Sequence, residues 1–217
     1  LEAPETRLAG RTGPVRILLT GGSQGALALN RLLPEALGLM AHEVPFEVRH
    51  QAGPRWVEET REAYRRAGIE VCRSDVSRDP NQERKKATTV AAHVAPAAEV
   101  TDFIEDMASA YAWADVVVCR AGALTVSEVA AAGVAALFIP FPHAVDDHQT
   151  RNAEYLVENG AALLVQEAQT DARKLANVLS PLAGDRARLA EMAMRGRAAS
   201  VPDSADRVAE MCREYTK

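Results

Sequence analysis

Four stretches of this sequence crowd small residues, hydroxyls, amides and carboxylates directly after apolar runs, where a ligand could be held. The first, Gly21-Gly22-Ser23-Gln24-Gly25, separates "VRILLT" from "LALNRLLPEAL". Glycines there permit a tight turn and close approach of a ligand to the backbone. Unpaired N–H groups at the start of the following helix favour an anion, and Ser23 and Gln24 add side-chain donors; equally, Ser23 suits the N-cap of that helix. No Gly-Lys-Ser/Thr follows and the spacing is not GxGxxG, so neither a Walker loop nor a dinucleotide fingerprint is present. The second stretch, "CRAGALTVSE" from Cys119 to Glu128, repeats the pattern of strand, small residue, Gly and helix start. Two such helix starts facing one cleft suit a diphosphate better than a single phosphate. Glu128 can accept two hydrogen bonds from a vicinal diol such as a ribose; Thr125-x-x-Glu128 also has the form of a capping box.

The third stretch, "PFPHAVDDHQTRN" from Pro140 to Asn152, offers Asp146, Asp147, His148 and Gln149 to sugar hydroxyls. Asp146 and Asp147 also read as N-capping and dipole-compensating residues, the reading favoured for Asp146. Asp-Asp-His has no second cluster to complete a metal site. The fourth, "TDFIEDM", sets Phe103 and Ile104 at a strand end, where their backbone groups can pair with the edge of a flat base or their side chains can join the core.

The elements that must position these loops alternate. Val15–Thr20 reads as a buried strand, and Leu27, Leu29, Leu32, Leu33, Leu37 and Met40 recur at helical spacing. Phe46–His50 is a second strand, a helix opened by Pro54 runs to Ala67 and stops at Gly68, and Ile69–Val71 is a third strand. Arg73–Ala98 has no period and reads as a loop or insertion, with the composition of a disordered segment in its polar first half. Val100–Phe103 is a strand, Asp106–Trp113 a helix, "ADVVVCR" a strand, and "AGALTVSEVAAAG" a helix closed by Gly133. Ala136–Pro140 is a strand, Asp147–Asn159 a helix closed by Gly160, and Ala162–Val165 the last strand. Thr170–Leu182, Asp185–Ala199 and Ser204–Tyr215 are consecutive helices. This alternation implies a Rossmann-like α/β domain with a parallel sheet of about six strands and helices on both faces. Ligands bind such sheets at the carboxyl ends of the strands, where all four stretches fall.

Composition narrows the function classes. The chain has 217 residues, 47% hydrophobic and 25% charged, with a net charge of -5. That balance opposes a nucleic-acid binder driven by phosphate contacts; the basic pairs and runs at Arg65–Arg66 and Arg84–Lys86 have acidic residues close by and read as solvated surface. Cys72, Cys119 and Cys212 show no CxxC pair, which fits a reduced compartment rather than a zinc or disulfide framework. No apolar run approaches the roughly 20 residues that span a bilayer. The opening "LEAPETRLAG" has no initiator Met and no signal-peptide pattern, and reads as the interior of a longer protein.

Taken in order, "GGSQGA…LN", "VTDFIEDM", "YAWADVVVCRAGALTVSE", "ALFIPFPHAVDDHQTRNA" and "RAASVPDSADRVAE" closely resemble the MurG family of N-acetylglucosaminyltransferases over nearly the whole chain. The resemblance implies the C-terminal, donor-binding half of a two-domain GT-B glycosyltransferase, residues 1–217, with the N-terminal acceptor half absent. The implied donor is UDP-N-acetylglucosamine, with no cofactor and no metal. The implied acceptor, lipid I, would be held by the missing half, which also makes peripheral contact with the cytoplasmic face of the bacterial inner membrane. By position, Ser23 and Gln24 match the phosphate-contacting loop and Ile104 the residue whose backbone reads uracil. Ala123, Leu124 and Thr125 match the helix start at the sugar and diphosphate, with Val126 and Ser127 following. Glu128 matches the ribose-binding Glu, and Gln149 a Gln that binds the N-acetylglucosamine hydroxyls. Gly22, Gly25, Phe103, Gly122 and His148 complete a wider set, His148 standing where some members have a second Gln. Three departures stand out. The family's general-base candidates lie in the missing half, a donor-contacting Arg just upstream of Leu1 is absent, and roughly 25 extra residues separate Tyr64 from Val100.

The implied reaction is an inverting transfer of N-acetylglucosamine from UDP to lipid I, giving lipid II for peptidoglycan. The isolated half is expected to bind donor without turnover. The alternatives are a UDP-sugar-binding module with no catalysis of its own and a UDP-N-acetylglucosamine 2-epimerase-like enzyme. An NAD-dependent oxidoreductase is disfavoured by the missing GxGxxG and ribose-binding acid.

Overall fold

A computed structural model describes residues 1–22, 25–72, 95–201 and 203–215. The elements run α1 (Pro4–Leu8), β1 (Val15–Thr20), α2 (Leu27–Met40), β2 (Phe46–Gln51), α3 (Val57–Arg66), β3 (Glu70–Cys72), β4 (Ala97–Thr101), α4 (Met107–Trp113), β5 (Val116–Cys119), α5 (Ala123–Ala132), β6 (Ala135–Phe138), α6 (His148–Glu158), β7 (Ala162–Leu164), α7 (Ala172–Gly184), α8 (Arg186–Ala199) and α9 (Ser204–Tyr215). The strands form one sheet in the order β3-β4-β2-β1-β5-β6-β7, and every pairing is parallel. This is the Rossmann-like α/β architecture, with seven strands among the described residues where about six were expected.

Burial on both faces explains why the central strands are continuously apolar. Ile17 and Leu19 of β1, with Val116 and Val118 of β5, point to the face covered by Leu33 and Leu37 of α2, Tyr64 of α3, and Leu175 and Leu179 of α7. Leu18, Val117 and Cys119 point to the other face, under Tyr111 of α4, Val126 and Val129 of α5, and Leu156 of α6. No helix among the described residues is long and apolar enough to cross a membrane.

Several boundaries differ from the sequence expectations for local reasons. The fourth strand begins at Ala97, inside the expected 73–98 insertion, and ends before Phe103. Alanines carry little β signal, but here Ala97 pairs with Glu47 on one side and Glu70 on the other. The insertion's remaining described residues are 95 and 96; residues 73–94, including Arg84–Lys86, lie outside the description. Pro54 does not open α3: Trp56 N–H donates to the Gly53 carbonyl in a turn, and the helix starts at Val57. Asp106 caps α4 rather than belonging to it, accepting from Ser109 N–H at 2.9 Å. Asp171 and Asp185 do the same for α7 and α8. The short α1 was unforeseen. Its Arg7 donates to the carbonyls of Tyr111 and Ala114, at the end of α4, and of Ala132 and Gly133, at the end of α5. One guanidinium thus caps two helices.

One buried polar cluster ties α2, β2 and α3 together. Asn30 Nδ2 donates to the Ala52 carbonyl at 2.8 Å, which leaves Asn30 Oδ1 to accept from His50 Nε2–H at 3.0 Å. His50 Nδ1 then accepts from the Tyr64 hydroxyl at 3.0 Å. The imidazole is therefore satisfied as the neutral form, and burial depresses its pKa to about 3. Below the ordinary histidine pKa of about 6.5, the unfolded chain binds a proton that the folded chain does not. Stability attributable to His50 is thus complete above about pH 6.5 and declines by about 1.4 kcal/mol per unit as the pH falls towards 3. Urea titrations at pH 7 and pH 5 should differ by about 2 kcal/mol from this group alone. A His50→Gln chain should show a correspondingly flatter profile; parallel profiles for the two chains would mean that His50 titrates normally.

Candidate functional site

Six strands, β4, β2, β1, β5, β6 and β7, end level. Thr20 pairs with Gln51 on one side and Cys119 on the other, and Gln51 pairs with Thr101. The loops that follow β4, β2, β1 and β5 therefore leave the sheet along one line. Chain order reverses between β1 and β5, so the crevice characteristic of open α/β sheets falls there. A cleft of about 710 Å³ opens at that point, within the size range of small-molecule sites. Thr20, Gly21, Gly22, Gly25 and the start of α2 form one wall; Arg120, Gly122 and Thr125 form the facing wall. Phe141, Pro142, His143, Gln149 and Glu167 close the third side.

The glycine turn has a steric reason. Gly25 N–H donates to the Gly22 carbonyl at 2.9 Å. Gly25 has φ +72°, and a Cβ there would stand 2.0 Å from the Ala52 carbonyl oxygen. A Cβ on Gly21 would stand 2.5 Å from Ala26. Only glycine lets this turn press against β2 and α2 together. Ser23 and Gln24 lie outside the described residues. The alternative of Ser23 as N-cap of α2 does not hold, because Ala26 occupies that position, with no side-chain cap. The first turn of α2 instead faces the cleft through Ala26, Leu27 and Ala28.

The start of α5 is similar. Gly122 is its N-cap, without a side-chain cap, and lines the cleft with Thr125. Thr125 is thus the third helical residue and Glu128 the sixth, so the capping box, which needs the N-cap and third positions, does not form. Glu128 accepts from the Tyr111 hydroxyl at 3.0 Å through Oε2. Burial raises the Tyr111 phenol well above its ordinary range, with Cys119 and Glu128 adding to the shift, so the hydroxyl stays a donor. Ala123, Leu124, Ser127 and Glu128 are exposed beside the cleft rather than on its lining, and the Ser127 hydroxyl donates to the Ala123 carbonyl. Val126 does not fit the expected binding set: its side chain is buried among Tyr111, Val129 and Leu156, and its N–H is bonded to the Gly122 carbonyl.

Gln149 lines the cleft. Its Oε1 accepts from Phe141 N–H at 3.0 Å and Ala121 N–H at 3.3 Å, joining the loops after β5 and β6. With the oxygen so engaged, the donor end is what its carboxamide offers a ligand. Asp146 and Asp147 both have left-handed backbones. Neither caps α6 as expected: Asp147 holds the N-cap position without a side-chain cap and accepts from Thr150 Oγ1 at 2.7 Å. His148, the first residue of α6, is exposed and off the lining. Among the described residues, no three His, Cys, Asp or Glu side chains gather as a metal site.

On the β4 side, Phe103 is 53% exposed rather than core. Ile104 packs partly against the α4–α5 face of the sheet, and its N–H donates to Gln51 Oε1 at 3.1 Å. Ile104 and Phe103 lie outside the cleft lining. Sequence reasoning missed Gln51, Tyr111 and Arg120. Arg120 Nη1 donates to the carbonyls of Ile139 and Pro140, and Nη2 pairs with Glu167 at 2.5 Å. The one available signal was a cation directly after a buried strand at the cleft.

Residues 16–208 match the family model of the glycosyltransferase family 28 C-terminal domain. The UDP-N-acetylglucosamine--N-acetylmuramyl-(pentapeptide) pyrophosphoryl-undecaprenol N-acetylglucosamine transferase of Burkholderia mallei (strain SAVP1) is 48% identical over 211 residues, 97% of this chain and 51% of that protein. The enzyme of the same name from Burkholderia thailandensis is 47% identical over the same shares. The crystal structure of Acinetobacter baumannii MurG superposes with a TM-score of 0.81 at 38% identity, covering 98% of this chain and 53% of that one. The C-terminal CMP-Kdo binding domain of WaaA from Acinetobacter baumannii shares the fold alone, with a TM-score of 0.57 at 13% identity over 88% and 90% of the two chains. The chain spans about half the length of the curated relatives it matches.

Proposed function

The chain belongs to the glycosyltransferase family 28 C-terminal domain, and from that premise we propose that it is the donor-binding half of an inverting transferase that moves N-acetylglucosamine from UDP-N-acetylglucosamine to lipid I, forming lipid II. The observation that carries this reading is the single cleft between the starts of α2 and α5, at the reversal of strand order. The diphosphate lies between the Gly21–Gly25 turn and Gly122–Thr125, and the match of Ser23 and Gln24 to the family's phosphate-contacting loop supports that reading. Ile104 reads the uracil through its backbone carbonyl, its N–H being engaged by Gln51, Glu128 takes the ribose diol, and the donor end of Gln149 meets the sugar hydroxyls. Lipid I is held by the N-terminal half of the longer enzyme, which docks on the cytoplasmic face of the inner membrane.

In the transfer, the C4 hydroxyl of the muramoyl sugar attacks the anomeric carbon of the donor. The bond from that carbon to the β-phosphate oxygen breaks, and UDP leaves with the electron pair. The hydroxyl proton passes to a base outside this chain. Negative charge grows on the diphosphate as the bond breaks, so two helix N-termini aimed at it stabilise the transition state more than the ground state. The donor arrives already activated, so no further cofactor enters the proposed step.

Calorimetric titration of the chain with UDP-N-acetylglucosamine, UDP and NAD tests the reading. Expected is saturable binding of both uridine ligands, none of NAD, and no release of UDP on adding lipid I. Binding of NAD without UDP would refute the nucleotide assignment; lipid I-dependent UDP release by this chain would refute the division of labour.

A further inference from the structure

Gln51 is the last residue of β2, and β2 lies between β1 and β4. Its side chain therefore stands between the turn that follows β1 and the loop that follows β4. It is 3% exposed, and both ends of its carboxamide are spent on backbone groups. Nε2 donates to the Gly22 carbonyl at 3.0 Å, and Oε1 accepts from Ile104 N–H at 3.1 Å. A carboxamide has one donor end and one acceptor end, and here each goes to a different loop. A carboxylate would lose the first bond and an ammonium the second. The backbone beside it is equally fixed: Ala52 N–H donates to the Thr101 carbonyl at 2.9 Å, and the Ala52 carbonyl accepts from Asn30.

We propose that Gln51 is a positioning residue that sets the span between the diphosphate-holding turn and the base-reading loop, so that a uridine diphosphate bridging both meets a preformed site. This deepens the donor-binding reading and rests on it. Preorganisation matters for a ligand that must engage both loops at once and little for one that engages either alone. Loss of the strut therefore weakens the bridging ligand selectively. A role in general folding would instead weaken every ligand alike.

The test uses Gln51→Met, which keeps the length of the side chain and removes both hydrogen bonds. Affinities of the full 217-residue chain for UDP, uridine and inorganic pyrophosphate are followed by NMR titration. Expected is a loss of about tenfold for UDP, equivalent to about 1.4 kcal/mol, with uridine and pyrophosphate each changed by less than about twofold. A uniform loss for all three ligands, or an unchanged UDP affinity, would overturn the proposal. If Gln51→Met does not fold, the wild-type chain decides. Pyrophosphate binding at the turn should shift the Gln51 side-chain amide and the Ile104 amide at the far end of the strut; shifts confined to the turn would overturn the coupling. Failure of the wild-type chain to bind UDP would instead remove the donor-binding reading itself.

Discussion

Alanine at position 25 is expected to lower the stability of the chain by about 3 kcal/mol and to abolish donor binding. Two costs combine. The left-handed backbone at φ +72° disfavours any side chain by roughly 1–2 kcal/mol. The added Cβ would also stand 2.0 Å from the Ala52 carbonyl oxygen and 2.8 Å from its carbon, backbone atoms held by the Asn30 and Thr101 hydrogen bonds. Relieving that overlap moves the turn off β2, at a further cost of about 1–3 kcal/mol, and displaces the wall of the cleft. Gly22→Ala is the natural control. Gly22 has φ +86°, but among the described residues a Cβ there meets nothing within 4 Å, so it should cost only the conformational part, about 1–2 kcal/mol. Thermal melts of both variants separate the two causes. At about 2–4 °C per kcal/mol for a chain of this size, Gly25→Ala should melt roughly 6–12 °C low and Gly22→Ala roughly one to two thirds as far. Equal shifts would show that the close approach to Ala52 contributes nothing.

Glu128→Gln is expected to weaken UDP binding by about 10- to 150-fold, the equivalent of losing a charged hydrogen bond worth about 1.5–3 kcal/mol. The substitution is chosen because its amide oxygen can still accept from the buried Tyr111 hydroxyl, which now bonds Glu128 Oε2. With that oxygen occupied, the glutamine presents only a donor to a ribose diol, whereas the carboxylate presents a second acceptor. Binding of 2′-deoxyuridine diphosphate should be far less sensitive to the change, because one of the two hydroxyls is gone. Unchanged UDP affinity in the variant would leave Glu128 as a partner of Tyr111 and remove the ribose role.

What the sequence disclosed follows from which forces are local. Apolar runs, helical spacing and glycine stops fixed the alternation of elements, and with it the placing of every candidate loop at a strand's carboxyl end. The partners of those loops are remote and were not visible. Thr125-x-x-Glu128 matched a capping box because the pattern carries no register; with Gly122 as N-cap, Glu128 turns to Tyr111, 17 residues away. Ala97 and Ala98 have no β signal of their own and become a strand because two neighbours pair with them. Gln51 reads as one more polar residue ending a strand until sheet order places it between two loops. Arg7 meets its carbonyl partners more than a hundred residues away, beyond any local rule.

A crystal structure of the chain with UDP-N-acetylglucosamine bound would test the central claim most directly. Expected is a diphosphate lying between the backbone N–H groups at the start of α2 and those at the start of α5, with the ribose hydroxyls on Glu128. A diphosphate bound against only one of the two helix starts, or outside the cleft between β1 and β5, would contradict it.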